Sequence, residues 1–138
     1  IKDKMLCSDS GGQEMVWNKS VPKKVNVFVW RALRGRLPVL VEIDRRGIDL
    51  DFVLCPSCGN SVETCAYSLI TCDLAMGVWD KIFNWWKVRS INAFTIDEFF
   101  SSNACVNVPK YFSCVWQAVI WSTGYYTWNE RNARVFDN

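Results

Sequence analysis

A chain of 138 residues, half of them apolar and 22% charged, has the composition of one globular domain and not of a disordered segment. Net charge is only +2 and there is no histidine, which removes the usual general base, the usual triad partner and the commonest metal ligand together. Apolar runs are short and broken by charge, and no leader pattern is visible, so neither a membrane span nor a signal peptide is expected. The chain begins at Ile1, which reads as a piece of a longer protein.

Residues 1–15 include Ser8, Asp9, Ser10, Gly11 and Gly12 and are expected to form a flexible segment; residues 16–136 are expected to form the domain. Pro22 suits a helix start, and Val25, Phe28, Val29, Ala32 and Leu33 follow at spacings of three and four, one apolar stripe. Gly35 and Pro38 stop that helix. A second short helix is predicted from about Val39 to Arg46, with Gly47 as its left-handed cap. From Lys19 to Arg46 there are eight basic and two acidic residues, a net +6 that leaves −4 for the rest. Within it, Lys23, Lys24, Arg31, Arg34 and Arg36 are candidates for contact with a nucleic-acid backbone, the plainer alternative being a solvated helix face.

Turn chemistry follows at Cys55-Pro56-Ser57-Cys58-Gly59-Asn60. The clearest helical stripe comes next: Ala75, Val78, Trp79, Ile82, Phe83 and Trp86. Thr95 and Glu98 form a capping-box pair before Phe99 and Phe100. Pro109 opens a last long helix to about Arg131, apolar on most sides and therefore either central or covered by a partner. The expected fold is mainly α, about five helices with a cysteine knuckle, and at most a short β-hairpin, between helices 2 and 3.

Cys7, Cys55, Cys58, Cys65, Cys72, Cys105 and Cys114 make an odd count with no secretory signal, which points to an intracellular, reducing compartment, nucleus or cytoplasm, and to a metal site in place of a disulfide framework. A Cys-x-x-Cys turn with Pro inside and Gly after brings two sulfurs to one side of a metal. Cys65 and Cys72 are the other candidate ligands. On a continuous helix they lie roughly 10 Å apart along the axis, whereas two sulfurs on one zinc lie under about 4 Å apart. Both can ligate only if the segment breaks between them; otherwise Cys65 and Leu69 face the core.

Trp85 is the better candidate for an exposed ring, while Trp86, Trp116, Trp121 and Trp128 read as packing. Asp97 and Glu98 are explained by capping. There is no glycine-rich phosphate loop and no histidine, so the chain is not expected to be an enzyme by itself.

Several runs then share one resemblance: Val16-Trp17, Val21-Pro22-Lys23-Lys24-Val25, Phe28-Val29-Trp30-Arg31, Gly35-Arg36-Leu37-Pro38, Arg46-Gly47-Ile48, Cys55-Pro56-Ser57-Cys58-Gly59, Glu63-Thr64, Cys72, Val78-Trp79 and the ending Trp128 to Phe136. Together they resemble the zinc-binding region C-terminal to the polymerase in plant LINE-type, non-LTR retrotransposon proteins. The resemblance implies a Cys, Cys, His, Cys zinc site. Cys55, Cys58 and Cys72 match, the histidine falls at Tyr67, and the aspartate before it is Ala66. The family's Thr-Arg after the Leu-Pro step is Val39-Leu40 here. These departures read as those of a degenerate copy. Three outcomes stay open for the site: zinc on three cysteines and a water, Cys65 in place of the lost ligand, or no metal.

The implied function is an accessory nucleic-acid-binding module of a retrotransposon reverse transcriptase polyprotein, an RNA-directed DNA polymerase as a whole. RNA or DNA phosphates and the upstream polymerase domain would be its partners, and no membrane is involved. The alternative is a structural domain that docks on the polymerase and binds neither metal nor nucleic acid. A copy with no cellular role is the third reading.

Overall fold

The computed structural model describes residues 15–88, 95–100 and 110–136. Helix α1 spans Lys23–Leu33 and buries Val25, Phe28, Val29 and Ala32. Pro22 precedes it in extended conformation, and its carbonyl accepts the N–H groups of Val25 and Asn26 at 3.0 and 3.3 Å. A polar clasp also fixes this start. Asn18 and Asn26 exchange two hydrogen bonds of 2.9 and 3.0 Å, and Asn18 Nδ2 donates to Gln117 Oε1 at 2.9 Å. Because Asn18 and Asn26 are both buried, these bonds meet groups that would otherwise be desolvated without partners.

Helix α2 is short, Leu40–Arg45, and ends at Gly47 with φ +98°, a conformation that a Cβ disfavours. An isolated bridge between Leu54 and Val62 is what exists of the expected hairpin among the described residues. A π-helical turn, Tyr67–Thr71, leads into α3, Asp73–Trp86. Helix α4, Ile96–Phe100, starts with the anticipated capping box: Thr95 Oγ1 accepts the Glu98 N–H at 3.1 Å, and the Thr95 N–H donates to Glu98 Oε1 at 3.3 Å. A 3₁₀ turn, Lys110–Phe112, runs into α5, Ser113–Phe136.

Helix α5 is central: α1, α4 and the π-turn all pack on it. Aromatic rings fill the space between elements. Phe28 meets Phe100 edge-on at 6.1 Å, Trp79 meets Phe99 at 4.5 Å, and Trp86 meets Trp116 at 5.0 Å. Where α4 crosses α5, Gly124 gives the room; a Cβ there would lie 2.8 Å from the Phe100 ring. Two buried indoles bond to backbone carbonyls, Trp79 to Leu69 at 2.7 Å and Trp121 to Phe100 at 3.1 Å.

Some sequence expectations shift. Val78 belongs to the helical stripe but is exposed, because the packed face of α3 centres on Ala75, Trp79 and Phe83. Helix α5 continues past Arg131 to Phe136, and Arg131 itself is buried. The flexible segment expected over residues 1–15 lies outside the described residues except for Met15, which is buried in the core. Among the described residues, no helix is long and apolar enough to cross a membrane.

Candidate metal centre

The Cys55–Cys58 turn closes on itself through backbone bonds. The Gly59 N–H donates to the Cys55 carbonyl and the Cys55 N–H to the Ser61 carbonyl, both at 2.8 Å. Gly59 sits at φ +73°, the left-handed step that lets the chain reverse after the second cysteine. The Asn60 N–H points back at the Cys58 sulfur at 3.4 Å.

Cys72 arrives from the other side. The π-turn breaks the helical path after Ala66, and Cys72 adopts φ −60° and ψ 142° as the N-cap of α3. Its sulfur is thereby freed from the face it would share with Cys65 on a continuous helix. The sulfurs of Cys55, Cys58 and Cys72 all lie within 4.8 Å of one another. Cys55 and Cys72 are 3.8 Å apart, about the separation of two thiolates on one tetrahedral zinc at roughly 2.3 Å each. This donor set therefore fits three corners of a zinc site, and zinc held there would cross-link the turn to the start of α3.

Tyr67 stands where a fourth ligand is expected, with its hydroxyl 2.9 Å from the Cys58 sulfur. A phenolate and a thiolate on the same tetrahedral ion would be about 3.6 Å apart. The shorter distance observed is that of a hydrogen bond to the sulfur, which suits Tyr67 to steadying Cys58. The electrostatics agree. Partial burial works against ionisation of Cys58, but hydrogen bonds from the Tyr67 hydroxyl, the Asn60 N–H and the neighbouring thiols hold its thiol below the ordinary range. The same bond to Cys58 pushes the Tyr67 hydroxyl up. Burial raises Cys72 to about 11, against the N–H groups of Ala75 and Leu74 that favour its thiolate.

Cys65, the other candidate ligand, is not part of this group. It packs against the core, and burial, with the carboxylates of Glu63 and Glu42, pushes its thiol up to about 12. Cys7 and Cys105 lie outside the described residues, and Cys114 is exposed.

Sequence reasoning missed the buried ion pair behind the centre. Glu63 is fully buried and Arg131 is 3% exposed. The guanidinium grips the carboxylate with both arms, Nε to Oε2 at 2.6 Å and Nη2 to Oε1 at 2.5 Å. Glu63 Oε1 also accepts the Leu40 N–H at 2.8 Å, at the start of α2, and Arg131 lies over the Trp128 ring at 4.6 Å. One pair thus joins α2, the cysteine loop and α5. Glu63 and Arg131 are separated by 68 residues, so no local pattern announces the pairing.

The candidate nucleic-acid contacts fall on one side of α1. At about 100° per residue, Lys23, Lys24, Arg31 and Arg34 occupy an arc of roughly 100°, opposite the buried stripe. Lys23, Lys24, Arg31 and Arg36 are exposed, while the Arg34 guanidinium lies 4.9 Å over the Trp30 ring. Lys24 Nζ lies 5.7 Å from the Tyr125 ring.

No curated protein and no solved structure matches the chain. A family model described as zinc-binding in reverse transcriptase matches residues 5–79, more than half of the chain and the whole of the cysteine turn with Cys72. With its three family cysteines gathered at one point, the chain belongs to the family of zinc-binding domains in reverse transcriptase.

Proposed function

We propose that this chain is the accessory, zinc-knuckle-type nucleic-acid-binding module of a LINE-type, non-LTR retrotransposon polyprotein of plant type, in a copy that has lost its histidine ligand. The observation that carries this is the convergence of Cys55, Cys58 and Cys72 in a domain whose α1 presents Lys23, Lys24 and Arg31 along one exposed arc. Zinc would brace the loop, and the arc would meet phosphates of element RNA or target DNA. Catalysis would belong to the polymerase upstream.

The test pairs metal content of the purified chain with RNA titration across a salt series. The expected results are about one zinc per chain, removable by chelator, and affinity that falls steeply with salt. Replacing Lys23, Lys24 and Arg31 by Gln lowers the slope of log affinity against log salt by about 2 on a single strand. Arg34 stays in place because it stacks on Trp30. Binding that ignores salt, or an unchanged slope in the variant, removes the phosphate role.

A second reading has its own support. Trp85 is 69% exposed and lines a shallow groove with Ile82, Val115 and Val119. Exposed aromatic area of this kind suits docking on the upstream polymerase domain. Intact folding and unchanged RNA affinity in the three-Gln variant, with loss of polymerase association in Trp85→Ser, favours docking.

A further inference from the structure

Between the start of α3 and the second half of α5 lies a cleft of about 510 Å³, a volume typical of small-ligand sites. Cys72 forms part of its wall. Leu74 and Val78, both exposed despite being apolar, supply one side, and Tyr126, 62% exposed, supplies an aromatic ring. Ser68 reaches it from the π-turn. Ser68 is 4% exposed, and its hydroxyl is buried without a hydrogen-bond partner. Several buried indole N–H groups are unpaired as well, but among the described residues Ser68 is the unpaired buried group whose residue lines the cleft, and a hydroxyl turned outward would pair with an occupant.

The surroundings narrow the class of ligand. The apolar side and the ring suit a flat, weakly polar body, while the Ser68 hydroxyl can donate or accept at its edge. Arg134 is at the wall but pairs with Glu130 at 3.5 Å, so the cleft is not built for a lone anion. The positive charge lies next door. Tyr126 meets Tyr125 edge-on at 5.3 Å, and Tyr125 in turn carries Lys24 Nζ at 5.7 Å. The basic arc of α1 and the cleft are therefore joined by two rings.

We propose that the cleft receives one unstacked nucleobase of a single strand. Tyr126 stacks on the base, the Ser68 hydroxyl bonds its edge, and Lys24 meets a neighbouring phosphate. This rests on the nucleic-acid reading above and adds a requirement for single-stranded bases, because bases in a duplex cannot leave the stack without cost. A hydroxyl that both donates and accepts gives little sequence preference.

The full 138-residue chain is titrated with a short single-stranded RNA and with an abasic strand of equal length. The base-bearing strand binds tighter on the order of tenfold. Tyr126→Ala and, separately, Ser68→Ala reduce that ratio towards one and leave abasic binding unchanged, and neither lowers thermal stability, since Ser68→Ala removes a buried unpaired hydroxyl. Equal wild-type affinity for both strands overturns the cleft proposal while phosphate binding stands. A ratio that survives Tyr126→Ala also overturns it. Failure to bind either strand overturns both readings.

Discussion

Tyr67 and Glu63 show how single residues set the character of this domain. With no histidine anywhere in the chain, the tyrosine hydroxyl hydrogen-bonds the Cys58 sulfur, a contact that favours the thiolate form. Tyr67→His supplies a fourth nitrogen ligand and raises zinc affinity by about tenfold or more. Competitive titration with a chromophoric chelator measures this, and equal affinity in the two forms shows that the ligand set is wrong. Glu63→Gln strands the buried Arg131 guanidinium beside a neutral amide. Breaking a buried pair from one side costs about 3–5 kcal/mol, a large part of the roughly 5–15 kcal/mol that holds a domain folded. Denaturant unfolding should show that loss, and adding Arg131→Met should recover part of it, since both desolvated charges are then gone.

At the scale of elements, the packing of α4 on α5 depends on the absence of one side chain. Gly124→Ala would gain about 1 kcal/mol of helix propensity. It also drives a methyl into the Phe100 ring, which is held by Phe28 and Phe99. Overpacking costs about 1–3 kcal/mol, and the ring is too enclosed to yield, so the variant is less stable overall. Thermal melts of Gly124→Ala, alone and with Phe100→Leu, check this; the second change should restore stability. The π-turn is the other decisive element. By breaking the helical path between Cys65 and Cys72, it sends one thiol to the core and the other to the metal centre.

For the whole molecule, core burial and metal binding are distinct contributions, although Cys55 and Cys72 take part in both. Many small zinc domains unfold without metal because they have no other core. Here Trp116, Trp121, Trp128, Phe28 and Phe100 share one core with Cys55 and Cys72, and most of that core is apolar side chain that holds no metal. Chelation should therefore lower the melting temperature while far-UV circular dichroism keeps its helical form; collapse of the helical signal would contradict a core of this kind. Metal affinity should fall as pH falls, because each thiol must lose a proton to bind. Burial holds Cys72 at about 11, so proton competition there extends through neutral pH.

What local chemistry determined, the sequence displays: the stripe of α1, the capping box at Thr95 and Glu98, the left-handed stop at Gly47, the Cys55–Cys58 turn and the exposed Trp85. Each depends on residues within a few positions, where spacing and backbone preference act directly. The set Cys55, Cys58 and Cys72 came from the family resemblance; spacing alone gave the Cys55–Cys58 turn and left Cys65 and Cys72 both open. Only the tertiary structure placed Cys65 apart from Cys55, Cys58 and Cys72, because a π-turn has no sequence period of its own. Only it joined Glu63 to Arg131, seated Phe100 against Gly124 and opened the cleft beside Ser68. Those pairings join residues far apart in the chain, and burial, which gives them their strength, exists only after the helices have packed.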